Sequence, residues 1–156
     1  MVLYVAAANA AYAQDSPVVP VPSPLSEVVG EYRASVVARQ SRDMREEEAA
    51  RERAVWLSRI REAFEASGDS AQIHSAALRA LGVANSVLDF GISRECVAWL
   101  TRTEDNPLMR WRWQAELAGI ARRQFLVTRD DQFLREAIEA YRLSLWPAPH
   151  FLIQLL

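Results

Sequence analysis

From Ser26 onward, Val28, Val29, Tyr32, Val36 and Val37 recur at spacings of three and four, the mark of one apolar face on a helix. From Arg39 to Glu48 the chain is almost wholly polar, Met44 excepted. The apolar stripe resumes at Ala50, Ala54, Leu57, Ile60 and Phe64. Arg42 with Glu46, and Glu47 with Arg51, stand four apart, where opposite charges pair along a helix surface. Residues 26–67 therefore read as one long charged helix or as a helix pair broken near Gln40–Ser41, and periodicity does not separate the two. The polar gap is too long for a continuous coiled-coil seam. Ser67-Gly68-Asp69-Ser70 then supplies a stop followed by a cap.

Beyond that cap, Ile73, Ala77, Leu78, Leu81, Ala84, Val87 and Leu88 make a broad stripe over residues 71–90, with Gly91 ending it and Ser93 capping a short helix to about Thr101. Asn106-Pro107 is a start signal, a cap followed by proline in the first helical position. The helix it opens carries Trp111, Trp113, Leu117, Ile120, Ala121 and Phe125 and should end near Thr128. Asp130 or Asp131 caps a last helix with Phe133, Leu134, Ala137, Ile138, Tyr141 and Leu145 facing inward. No segment alternates with period two over strand length, and only 5 glycines are present, so the expected fold is all-α.

The two ends read differently. Residues 1–13 are apolar and alanine-rich, and Ala11-Tyr12-Ala13 places small residues where a signal peptidase cuts. A signal peptide cleaved after Ala13 is the expectation, with a periplasmic or secreted location. No basic residue precedes Arg33, however, and the other reading is an N-terminal helix of a cytoplasmic protein. Residues 14–25 are proline-rich and should be extended. At the other end, Trp146-Pro147-Ala148-Pro149 breaks the helix, and 148–156 is an apolar tail resembling the first turn of a further hairpin, as though the chain continued.

Half the residues are hydrophobic (51%) and 24% are charged, with a formal net charge of −2; this is enough apolar material for a core and gives no basic field for nucleic acid. All 18 basic residues are arginine, which excludes Schiff-base lysines and the Gly-Lys-Ser/Thr phosphate loop. The single cysteine, Cys96, sits in an apolar helical stretch and reads as a buried, inert thiol. His74 and His150 have no metal-ligating partner at helical spacing. No glycine-rich nucleotide motif or nucleophile elbow is present. The 5 tryptophans read as helix packing rather than base stacking. The chain is thus expected to be no enzyme, to need no cofactor or metal, and to have no window long enough to cross a membrane.

Two stretches look alike. One has Leu81-Gly82, then Cys96 and Leu100; the other has Leu117-Ala118, then Ala137 and Tyr141. In each, a helix with a Leu-small pair meets a second helix with a small residue followed by a large one four later. Over residues 73–147 this resembles the tetratricopeptide (TPR) family of helical repeats, with Ala137–Leu145 most like the family's second helix. The chain departs from the family pattern in a Cys96-to-Ala137 spacing longer than the usual ~34 residues, and in having Asn85 and Ala121 where an aromatic often stands. An irregular helical bundle is the other reading.

The resemblance implies antiparallel hairpins stacked as a short solenoid over residues 70–147, preceded by the long charged helix. It implies a scaffold that binds a protein or peptide partner on its first helices, with Arg79, Arg112, Arg122 and Arg123 as the residues to receive an acidic side chain or C-terminal carboxylate. A solvated basic face is the plainer account of the same arginines. The alternative function is an oligomerisation module in which the long helix pairs with another copy through Leu57 and Ile60. An enzyme whose catalytic domain lies past Leu156 is the remaining reading.

Overall fold

The computed structural model describes residues 24–42 and 44–145. The expected signal peptide, most of the proline-rich linker, His150 and the apolar tail lie outside the described residues. Among the described residues, the chain forms six helices and no strand: α1 Pro24–Gln40, α2 Glu46–Ala66, α3 Ser70–Ser86, α4 Phe90–Thr103, α5 Pro107–Thr128 and α6 Asp131–Leu145.

The long charged helix is therefore corrected to a pair. The polar run from Arg39 to Glu48 has no apolar face to hold a continuing helix against a core. The charges around the break suit two termini: Arg39 lies in the last turn of α1, and Glu46, Glu47 and Glu48 fill the first turn of α2, each favourable to its helix dipole. Arg42 sits in the turn, so Glu46 pairs with Arg53 instead.

Consecutive helices pack as hairpins, α1 on α2, α3 on α4, and α5 on α6. Between hairpins, α1 lies against α3, α2 against α4, and α4 against α5. One continuous core joins α1 to α5. Leu25, Val29, Tyr32 and Val36 come from α1, Trp56, Ile60 and Phe64 from α2, Ile92, Cys96, Val97 and Leu100 from α4, and Trp113 and Ile120 from α5. Each large aliphatic or aromatic side chain so buried contributes about 1.5–3 kcal/mol. The central helix, α3, buries Ala76, Ala77, Ala80 and Ala84 completely. Small residues there let neighbouring helices approach closely.

The α3–α4 junction differs from the sequence expectation. Helix α3 stops at Ser86, and Leu88 takes the left-handed conformation with φ 56°. The Asp89 N–H donates to the Ala84 carbonyl at 2.9 Å, which completes a Schellman-type end with leucine where glycine is usual. Asp89, not Ser93, is the N-cap of α4, and Gly91 lies inside that helix. At the other caps the sequence signals hold. Asp69 accepts from the N–H groups of Ala71 and Gln72 at 2.9 and 3.0 Å, and Asp130 accepts from Gln132 at 2.9 Å.

Helix α6 is also turned from its expected orientation. Ala137, Ala140 and Ser144 are buried, while Leu134, Ile138 and Tyr141 are 37%, 60% and 39% exposed. The facing helix buries Ala118 and Ala121, so α5 and α6 meet through small residues on both sides. Trp111 faces outward as well.

A leucine in the left-handed region costs about 1–2 kcal/mol. Leu88→Gly should therefore be more stable than Leu88→Ala by about 1 kcal/mol in urea denaturation, although both lose the same half-exposed side chain. Equal midpoints would contradict the Schellman assignment.

Candidate functional site

Three helices converge on one buried carboxylate. Asp89 is 3% exposed. Its Oδ2 accepts the Tyr32 hydroxyl from α1 at 3.2 Å, and its Oδ1 faces the Ile92 N–H of α4 at 3.5 Å. Arg39 Nη2 stands 3.9 Å from Oδ2, and Arg39 Nε stands 3.9 Å from Glu52 Oε1 of α2. Burial raises the Asp89 pKa above the usual carboxylate range, against the pull of the Ile92 N–H, the Tyr32 hydroxyl and the nearby Arg39. Burial, with the Asp89 charge beside it, pushes the Tyr32 phenol far up, so Tyr32 acts as a fixed hydrogen-bond donor. Sequence reading missed this centre: the spacing between Tyr32 and Asp89 carries no local pattern, and Val36 and Leu88 draw attention to apolar stripes on either side.

The first helices of the first two hairpins frame a groove of about 470 Å³, lined by Ser26, Val29, Gly30, Arg33, Leu78, Arg79, Gly82, Val83 and Ser86. Nothing lies within 4 Å of where a Cβ would stand on Gly30 or Gly82, so both glycines leave the groove open. Arg79 donates from Nη2 to Ser26 Oγ at 3.1 Å. Leu78 is 43% exposed and adds apolar surface beside the two arginines. Arg33 was not a sequence candidate; it joins Arg79 only because α1 lies on α3.

The four candidate arginines do not form one row. Arg79 lines the α1–α3 groove. Arg112 is exposed on α5, its guanidinium 5.4 Å from the centre of the Trp113 ring, and Arg122 is exposed on another side of the same helix. Arg123 turns inward to α3, where its Nη2 donates to Asn85 Oδ1 at 3.0 Å and lies 3.3 Å from Glu116 Oε1. Asn85 also accepts from Ser93 Oγ and donates to Glu116 Oε1, each at 3.0 Å. The position where the repeat family often has an aromatic is here the hub of a polar network joining α3, α4 and α5. Gly82, the small position of the first resembling stretch, is exposed, whereas Ala118, its counterpart in the second, is fully buried. Only the second therefore serves close packing.

Cys96 is fully buried, and burial pushes its thiol far above the ordinary value, which removes the thiolate needed for nucleophilic chemistry. His74 places Nδ1 3.2 Å from Thr103 Oγ1 and packs edge-on to Trp113. Among the described residues no group of three or more His, Cys, Asp or Glu side chains is placed to hold a metal ion, and no helix is long and apolar enough to cross a membrane.

Fold and surface together define an all-α protein of packed helical hairpins with an open groove between first helices. No protein-family model, curated protein or solved structure matches the chain.

The raised Asp89 pKa gives a signed pH dependence. The folded state keeps this proton to a higher pH than the unfolded chain does. The stability tied to this carboxyl is therefore full below about pH 4 and declines as pH rises through the raised value. Asp89→Asn keeps a capping side chain but removes the titration. Urea denaturation from about pH 3.5 to pH 7 should show wild-type stability falling relative to the variant as pH rises; a relative gain would refute the assignment.

Proposed function

We propose that this protein is a non-enzymatic interaction scaffold, a short TPR-like stack of helical hairpins that takes an acidic peptide or the carboxylate end of a partner protein. The observation that carries the reading is the α1–α3 groove, open over Gly30 and Gly82 and edged by Arg33 and Arg79. Two guanidiniums beside exposed apolar surface suit a peptide that offers a carboxylate and an adjacent apolar side chain. The rest of the interior supports this use through packing, since the buried thiol and the buried carboxylate are both tied up structurally. Arg112 and Arg122 extend basic surface along α5, while Arg123 works inside the fold. The proposal takes the scaffold as periplasmic or secreted on the reading of residues 1–13 as a signal peptide, and as cytoplasmic if they are not one.

Fluorescence anisotropy with a labelled acidic peptide bearing a free C-terminal carboxylate tests the groove. The double substitution Arg33→Glu with Arg79→Glu should weaken binding by at least about tenfold, the effect of losing one charged hydrogen bond or more. Arg112→Glu should change it far less. Unchanged binding in the double variant would sink the proposal.

A second reading, a self-associating helical module, is favoured by one observation, the exposed Leu134–Ile138–Tyr141 stripe on α6. The face first considered for it does not serve: Ile60 is fully buried and Leu57 packs on the core, so charges there would unfold the chain rather than dissociate a dimer. Sedimentation at several concentrations distinguishes these readings. A concentration-independent monomer supports the scaffold; reversible association abolished by Ile138→Glu supports the module.

A further inference from the structure

A second hollow lies beside the Arg79 groove, where the start of α3 meets the end of α4. It measures about 500 Å³, and its walls include Ser70, His74, Leu78, Thr103 and Asp105. The half-exposed Leu78 stands in the walls of both hollows, so one trough runs along α3. The charges at its two ends are opposite. In the groove the charged lining residues are Arg33 and Arg79, both exposed, with no carboxylate among the lining. The bond from Arg79 to the Ser26 hydroxyl leaves its charge unbalanced. In the second hollow the carboxylate is Asp105, exposed in the turn between α4 and α5. It has no hydrogen bond or ion pair among the described residues. His74 adds to the same end. Thr103 gives its hydroxyl proton to the Trp99 carbonyl at 2.9 Å, so its oxygen accepts from His74 Nδ1 at 3.2 Å. The neutral ring then keeps Nε2 as a second acceptor.

Asp105 lies level with Ser70 and Ala71, which share its hollow, and these stand nine and eight residues before Arg79 on α3. At a rise of ~1.5 Å per residue the separation is about 12–14 Å. An extended peptide covers that span in about four residues at ~3.3 Å each. Building on the α1–α3 groove as a carboxylate site, we propose that the trough takes a peptide of mixed charge. Its C-terminal carboxylate is held by Arg33 and Arg79, an apolar side chain lies on Leu78, and a lysine or arginine about four residues upstream is held by Asp105 and His74. The opposite charges fix the direction in which the peptide lies. A uniformly acidic peptide meets repulsion at Asp105, so the same residue that attracts the right partner discriminates against the wrong one.

The test is fluorescence anisotropy with two labelled peptides that end in a free carboxylate and differ at one residue, lysine or glutamate four positions upstream of the end. The lysine peptide is expected to bind about fivefold tighter or more. Asp105→Lys, a change in an exposed turn, should abolish or reverse that preference while leaving the helical circular dichroism unchanged. Arg33→Glu with Arg79→Glu should weaken both peptides. Equal binding of the two peptides by the unaltered chain, or the same preference in Asp105→Lys, overturns the basic subsite. If the double arginine variant still weakens both peptides in that case, the carboxylate groove stands without it. Full binding of both peptides by the double variant overturns the groove, and the subsite with it.

Discussion

A carboxylate withdrawn from water must be held by donors, and Asp89 is held from two directions at once. It receives the Tyr32 hydroxyl from α1 and caps the start of α4, while its own backbone N–H closes the end of α3. One residue thus fixes where α3 ends, where α4 begins, and how the second hairpin sits on the first. The left-handed Leu88 is what turns the chain sharply enough to bring it there. Strain at one backbone position is offset by the contacts it sets up. The core stripes of α1, α3 and α4 supply more free energy, but stripes alone leave helices free to slide, whereas a directional contact at a fixed point does not.

The arginine-only basic set has structural uses that lysine would fill poorly. Arg94 on α4 donates to both Gln124 of α5 and Glu136 of α6, one planar head tying three helices. Arg59, Arg102 and Arg112 lie over Trp56, Trp99 and Trp113 at 4.4, 4.8 and 5.4 Å from the ring centres, covering aromatic surface that would otherwise meet water. Several arginines that look in sequence like a binding face are therefore half of a structural pair. Arg33 and Arg79 border the open groove between α1 and α3.

Much of the architecture was legible. The stripes in α3 and α5, the caps at Asp69 and Asp130, and the proline start of α5 are local signals, and each marks a real boundary. Reading failed where two local signals competed. Gly91 looked like a stop, yet the turn is made earlier by a leucine that offers no glycine to notice. The break after Gln40 was open in the pattern of apolar residues, although the acidic triplet Glu46–Glu48 is itself a helix-start signal. The inward face of α6 was misjudged because its larger apolar residues outnumber its alanines, and the close approach of α5 favours the alanines.

What the sequence determined by itself is the all-α class: helical periodicity and scarce glycine are properties of short windows, and short windows suffice to read them. What only the tertiary structure decided is which residues share a surface. Arg33 and Arg79 line one groove and Tyr32 bonds to Asp89 across helices far apart in the chain, while Arg123, adjacent to Arg122, points into a different environment. Helical periodicity tells which side of one helix a residue occupies. It does not tell which neighbour that side will face, because that is set by the angle and distance at which whole helices pack, and those follow from the summed shapes of many small and large side chains.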